Sequence, residues 1–124
     1  MNKIKKGPIV MWVDHNFIYS DVEKGTIMDL EMAKTSLKMA DDLLKGIKKP
    51  LICDFTNMKS QTKECRDYYS SAETAQRYTA CAIISTSIIG RVLANFYLGL
   101  NKPIIPTRFF TDEYTACIWA DKFK

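Results

Sequence analysis

From Leu30 onward, apolar residues recur at Ala33, Leu37, Ala40, Leu44 and Ile47, alternately three and four apart, while Glu31, Lys34, Lys38, Asp41 and Asp42 fill the other side. That period predicts an amphipathic helix with one buried stripe. Asp29 offers its N-cap and Gly46 its stop. Lys48-Lys49-Pro50 then leads into Leu51-Ile52-Cys53-Asp54-Phe55, mostly apolar and without alternation, as in a strand covered on both faces. An amphipathic helix feeding a doubly covered strand narrows the choice to an α/β layer structure with strand-helix-strand crossovers.

The flanking segments extend this pattern. Residues 9–14 and 17–22 are short β-branched and aromatic runs separated by His15-Asn16, and read as an antiparallel hairpin. Gly25 marks a turn, and residues 26–28 add a brief strand. Residues 60–77 are polar and rich in helix formers, with Ser60 or Thr62 as N-cap for one or two solvent-facing helices. Residues 79–85 make another buried strand. Ser87 caps a helix through about Leu100 whose apolar residues encircle it, which predicts burial on more than one side. Pro103 and Pro106 hold the next loop extended, residues 107–110 form a last strand, and Thr111 or Asp112 caps a final helix with Ala116, Trp119, Ala120 and Phe123 inside. The expectation is one α/β domain over residues 1–124: a mixed sheet starting with an N-terminal hairpin, and about four helices.

Composition agrees: 124 residues, 47% of them hydrophobic and 26% charged, suit one globular domain that needs no disulfide or metal to fold. The net charge of +4 is spread evenly along the chain. Lys3, Lys5 and Lys6 precede an apolar run at 9–13, but Asp14 and His15 halt it too early for a signal peptide, and no stretch approaches a membrane span. A cytoplasmic location follows as the expectation. Cys53, Cys65, Cys81 and Cys117 form no CxxC pair and have one histidine, His15, for company, so reduced structural thiols are expected and no metal.

Several phrases resemble a known group. Asn101-Lys102-Pro103, then Pro106-Thr107-Arg108-Phe109-Phe110-Thr111-Asp112-Glu113 with Ala116 and Trp119, is similar to the ending of small uncharacterised bacterial proteins with the SpoIIAA-like fold. That fold is shared by STAS domains and related to CRAL-TRIO lipid-binding domains. Asp54-Phe55-Thr56-Asn57-Met58 and Glu64-Cys65-Arg66-Asp67-Tyr68 resemble the same group, and the likeness covers roughly residues 8–123. It implies a SpoIIAA-like domain and carries no activity with it. Anti-sigma-factor antagonists of this fold carry a phosphorylatable serine where Lys63 or Glu64 falls here, so the phosphoswitch is not transferred. Ser60 and Thr62 are open to modification but read more simply as helix caps.

In open α/β sheets ligands bind beyond the carboxyl ends of parallel strands, which points to residues 56–62, 85–90 and 111–113. Ser85, Ser87 and Arg91 surround a helix start that suits a phosphate or carboxylate. Arg91 and Asn95, one turn apart, suit a ligand head group in an apolar cleft, as does Arg66. The competing reading makes Ser87 a cap, and Arg91 and Asn95 the polar edge of a homo-oligomer interface centred on Ile88, Val92 and Phe96. The apolar circumference of residues 88–100 favours the interface. Catalytic signals are few: His15 has no tuning partner, Cys65 and Cys117 have no base in sequence, and no GxSxG or HExxH pattern occurs. The aromatics form no stacking platform, so no nucleic-acid partner is expected. The leading expectation is a non-catalytic cytoplasmic interaction or regulatory module without cofactor, self-associating through residues 88–100 and open to a protein partner. The alternative is a carrier or sensor of a small amphipathic or lipid-like ligand.

Overall fold

The computed structural model describes residues 3–124, apart from the side chain of Phe96. Strand β1 (Ile4–Lys6) pairs antiparallel with β2 (Ile9–Val13), and β2 with β3 (Ile18–Val22). β4 (Thr26–Met28) precedes α1 (Leu30–Leu44). β5 (Lys49–Asp54) lies parallel to β3, and β6 (Met58–Gln61) pairs with β4 in a separate two-stranded parallel ladder. Helices α2 (Lys63–Tyr69) and α3 (Ala72–Ala75) lead to β7 (Tyr78–Ile84), parallel to β5. Helix α4 (Ile88–Asn101), strand β8 (Thr107–Phe110), helix α5 (Glu113–Ala120) and a 3-10 turn (Asp121–Phe123) complete the chain. The main sheet has the order β1-β2-β3-β5-β7-β8.

The expected α/β architecture holds, with differences that have local causes. β1 extends the hairpin by an edge strand, and β6 occupies the start of the segment read as helical. Each is too short to show a period. Ser60 therefore lies in β6, and Thr62 is the residue that caps α2, accepting from the Cys65 N–H at 3.2 Å. Asp29, Ser87 and Asp112 cap α1, α4 and α5 as their positions predict. Ile47 lies beyond α1 and is exposed, because Lys45 and Gly46 take positive φ and end the helix first. Pro50 sits at the register irregularity between Lys49 and Leu51, where a missing N–H is tolerated.

The sheet is covered unequally. On one face, α1, α2 and α4 pack with Ile18, Leu37, Ala40, Phe55, Tyr78 and Ile83 in the larger core. On the other, α5 packs Ala116 and Ala120 against Ile52, Ala82 and Ile84. The expected burial of the 88–100 helix on more than one side is corrected here. Ala94 and Tyr97 face inward, while Ile88, Ile89, Val92 and Leu100 are exposed.

The β2–β3 connection is a four-residue loop organised by Asp14 rather than a two-residue turn. Its Oδ1 accepts from the backbone N–H of Asn16 (2.8 Å) and Phe17 (2.7 Å), and its Oδ2 accepts from the Tyr19 hydroxyl (2.7 Å). Partial burial pulls the Asp14 carboxyl up, but these hydrogen bonds and the Lys49 charge outweigh it and hold it below the ordinary carboxylate value. A carboxylate held low contributes stability that is present above its unfolded pKa and lost as pH falls through the folded one. Asp14→Ala is expected to cost about 2 kcal/mol in urea denaturation at neutral pH and less at pH 3. Equal losses at both pH values would remove the charge from this account.

Candidate functional site

Four parallel strands place small side chains where a core would carry large ones. Ser20 of β3 is in register with Cys53 of β5, Leu51 with Cys81 of β7, and Cys81 with Thr107 of β8. Ser20, Cys53, Cys81 and Thr107 thus form a diagonal stripe across the sheet, on the face beneath α1, α2 and α4. The stripe lines a cavity of about 50 Å³, within a cleft of about 700 Å³ when its open mouth is included. Native cores are close-packed, so a void at the centre of a sheet is a departure from ordinary packing. Cys53 on β5 and Cys81 on β7 stay partly exposed, and both line the cleft.

The roof is aromatic. Tyr69 of α2 and Tyr97 of α4 line it, together with Ser36 of α1. The Ser36 hydroxyl donates to the Ala33 carbonyl at 2.7 Å, so the 2.7 Å contact between Ser36 and Tyr69 uses the tyrosine proton. Burial pushes both tyrosine hydroxyls far above their ordinary value, and they remain neutral. Burial likewise raises the Cys53 thiol and pushes the Cys81 thiol up to about 12. A thiol held protonated behaves as a small hydrophobe rather than a nucleophile.

Gln61 and Asp54 add an amide and a carboxylate to this wall. Gln61, at the end of β6, has a buried Oε1 with no hydrogen-bond partner. Burying an unpaired amide oxygen costs about 1–3 kcal/mol, so the position is poised for a partner. Asp54, at the end of β5, also lines the cleft, and its charge adds to the partial burial that raises the neighbouring Asp21 carboxyl.

The residues chosen from sequence lie elsewhere. Ser85 is fully buried, and its Oγ meets the Ser87 N–H and carbonyl at 3.2 Å each. Ser87 Oγ accepts from the Gly90 N–H at 2.9 Å, the capping role. Arg91 and Asn95 are exposed on the outer side of α4. Arg66 donates from Nη1 to the Gln61 backbone carbonyl at 3.1 Å, next to the cavity but not in its wall. The structure gathers none of these five around the cleft. Of the interface candidates, Ile88 and Val92 are exposed, and the Phe96 side chain lies outside the described residues. His15 is exposed at the hairpin tip. Among the described residues, no three His, Cys, Asp or Glu side chains are grouped to hold a metal, and no helix is long and apolar enough to cross a membrane. A sequence signal for the cleft existed in Ser20, Ser36, Cys53 and Cys81, all small residues at inward positions of otherwise apolar elements.

A mixed sheet opened by an antiparallel hairpin, continued by parallel crossovers and carrying helices on both faces, defines a SpoIIAA-like α/β domain. The chain belongs to the family described as Domain of unknown function (DUF7793), whose model matches residues 11–124. In structure it is similar to an uncharacterised protein of the DUF3478 family with a SpoIIAA-like fold from Shewanella loihica PV-4, at a TM-score of 0.61 and 15% identity over 90% of this chain and 91% of that one. At this identity the likeness shows the fold alone. A search of the curated proteins finds no match.

Proposed function

We propose that this protein is a non-catalytic module that binds a small single-chain amphiphile in the cleft between the sheet and α1, α2 and α4. The observation that carries the reading is the buried, unpartnered amide oxygen of Gln61, a residue of the wall of a mostly apolar cavity. The small-residue stripe supports an aliphatic chain lying across the strands. A hydroxyl head both donates and accepts, so it satisfies the amide in either orientation of the carboxamide. Asp54 argues against a carboxylate head. The ligand class is therefore a neutral, hydroxyl-bearing alkyl chain, and protonated thiols and tyrosines in the walls support binding over chemistry.

1-Decanol is a direct probe. At about 0.6 kcal/mol per heavy atom, it is expected to bind saturably with a Kd on the order of 10 µM. Amide chemical-shift changes are expected at Ser20, Cys53, Gln61 and Cys81, and decanoate should bind at least tenfold more weakly. Cys81→Leu fills the stripe and is expected to keep or raise the thermal midpoint while abolishing decanol binding. Tight binding to the Cys81→Leu variant, or shifts confined to the surface, would remove the cleft from this role.

A further inference from the structure

We propose that the outer face of α4 docks the protein onto the surface of an anionic lipid bilayer. The inference rests on the exterior of one helix and stands apart from the cleft. At about 100° per residue, Ile88, Ile89, Val92 and Leu100 fall on one arc of α4, with Ala94 and Tyr97 opposite. Ile88 is 78% exposed, the other three and Ile104 just beyond are each at least 60% exposed, and Arg91 and Asn95 flank the arc on one side. The other long helix is different: the outer side of α1 is charged throughout, with Glu31, Lys34, Lys38 and Asp42. A continuous apolar arc facing outward marks an interaction surface.

Charge decides the occupant. No Asp or Glu occurs between Glu73 and Asp112, a stretch that contains the whole of α4, whereas Arg91 and Lys102 are exposed on it. The carboxylate hydrogen-bonded to α4 is Asp67, which receives Asn101 Nδ2 at 2.9 Å and is matched by Lys63 Nζ at 2.8 Å. A second copy, the occupant favoured by the sequence, would set this arc against its own image, with exposed arginines from both copies and no carboxylate from either segment to pair them. An anionic bilayer supplies both halves of the complement: acyl chains for the isoleucines and valine, and phosphates for Arg91 and Lys102. Helices that lie in a membrane surface pair an apolar face with flanking cations in this way.

The test is co-sedimentation of the full chain with phosphatidylcholine vesicles, with and without about 40 mol% phosphatidylglycerol. Binding is expected to the anionic vesicles, at least tenfold weaker to the neutral ones, and reduced when salt is raised from about 0.15 M to about 0.5 M. Val92→Glu and Ile89→Glu are expected to lower binding at least tenfold, with unchanged unfolding midpoints because both side chains are exposed. Arg91→Gln should lower binding about fivefold on anionic vesicles only. Cys81→Leu is expected to sediment like the unaltered protein, which keeps this result separate from the fate of the cleft. Absence of binding to either vesicle, or binding unaffected by Val92→Glu, overturns the proposal. So does a dimer at micromolar concentration that Val92→Glu dissociates, since it assigns the face to a second copy.

Discussion

Gly90→Ala is expected to destabilise the fold by about 2–3 kcal/mol, although alanine is the better helix former by about 1 kcal/mol. The reason is the approach of α4 to the ends of two strands. A Cβ on Gly90 would lie 2.8 Å from the Phe55 carbonyl oxygen and 2.8 Å from Ser85 Cβ, and would overlap Ser85 Oγ. None of these yields easily. The Phe55 backbone is fixed by its N–H donating to Ile84 at 2.7 Å, and Ser85 is fully buried and bonded to Ser87. Relief requires the start of α4 to lift from the sheet, which pulls the Ser87 backbone from Ser85 Oγ. Urea denaturation measures the loss. Ser85→Gly in the Gly90→Ala background removes two of the three conflicts and is expected to recover part of the difference in a double-mutant cycle. A loss below about 0.5 kcal/mol, or no coupling with Ser85, would show that α4 is not seated this closely.

The same junction shows what a chain reveals about itself. Asp29, Ser87 and Asp112 were legible as caps because capping chemistry is local: a short polar side chain meets an N–H three residues on. Helix α1 and the doubly covered strands β5 and β7 were legible because their burial repeats along the sequence. The short strands β1 and β6 were not, having too few residues to establish a repeat. The encircling apolar residues of α4 correctly marked an unusual helix, but composition carries no information about whether protein, ligand or membrane covers the outer arc. The cleft was hidden for a different reason. Ser20, Cys53, Cys81 and Thr107 become neighbours only through the register of four parallel strands, and register is a tertiary fact. In the sequence, Arg66, Ser85, Ser87, Arg91 and Asn95 stand out by their conspicuous chemistry. The structure draws attention instead to inconspicuous ones whose smallness leaves room.

Alkaline pH is expected to destabilise this protein well before ordinary side-chain damage, through one thiol in the core and two in the walls of the cleft. Burial raises Cys53, and pushes Cys65 and Cys81 up to about 12, from an ordinary value of 9.0. In the unfolded chain the thiols ionise near that ordinary value, so above it the unfolded state has released protons that the native state still holds. Stability is then complete below about pH 9 and falls as pH rises toward the folded values. At pH 10 each thiol removes about 1.4 kcal/mol, or about 4 kcal/mol for the three, a large share of the roughly 6–19 kcal/mol usual for a chain this long. Tyr69, Tyr78 and Tyr97, also raised by burial, add to the slope above pH 10. Cys65 is fully buried against the core, while Cys53 and Cys81 face the cleft, so the two groups separate by mutation. The Cys53→Ala, Cys81→Ala pair is expected to start less stable at pH 7 but to lose about 3 kcal/mol less between pH 7 and pH 10 than the unaltered chain. Cys65→Ala alone should spare about half as much. Urea midpoints taken at unit steps of pH, under reducing conditions, give these slopes directly. Curves that stay parallel for all variants would mean that the cleft is wet enough to hold thiolates, and that its walls are more polar than this packing implies.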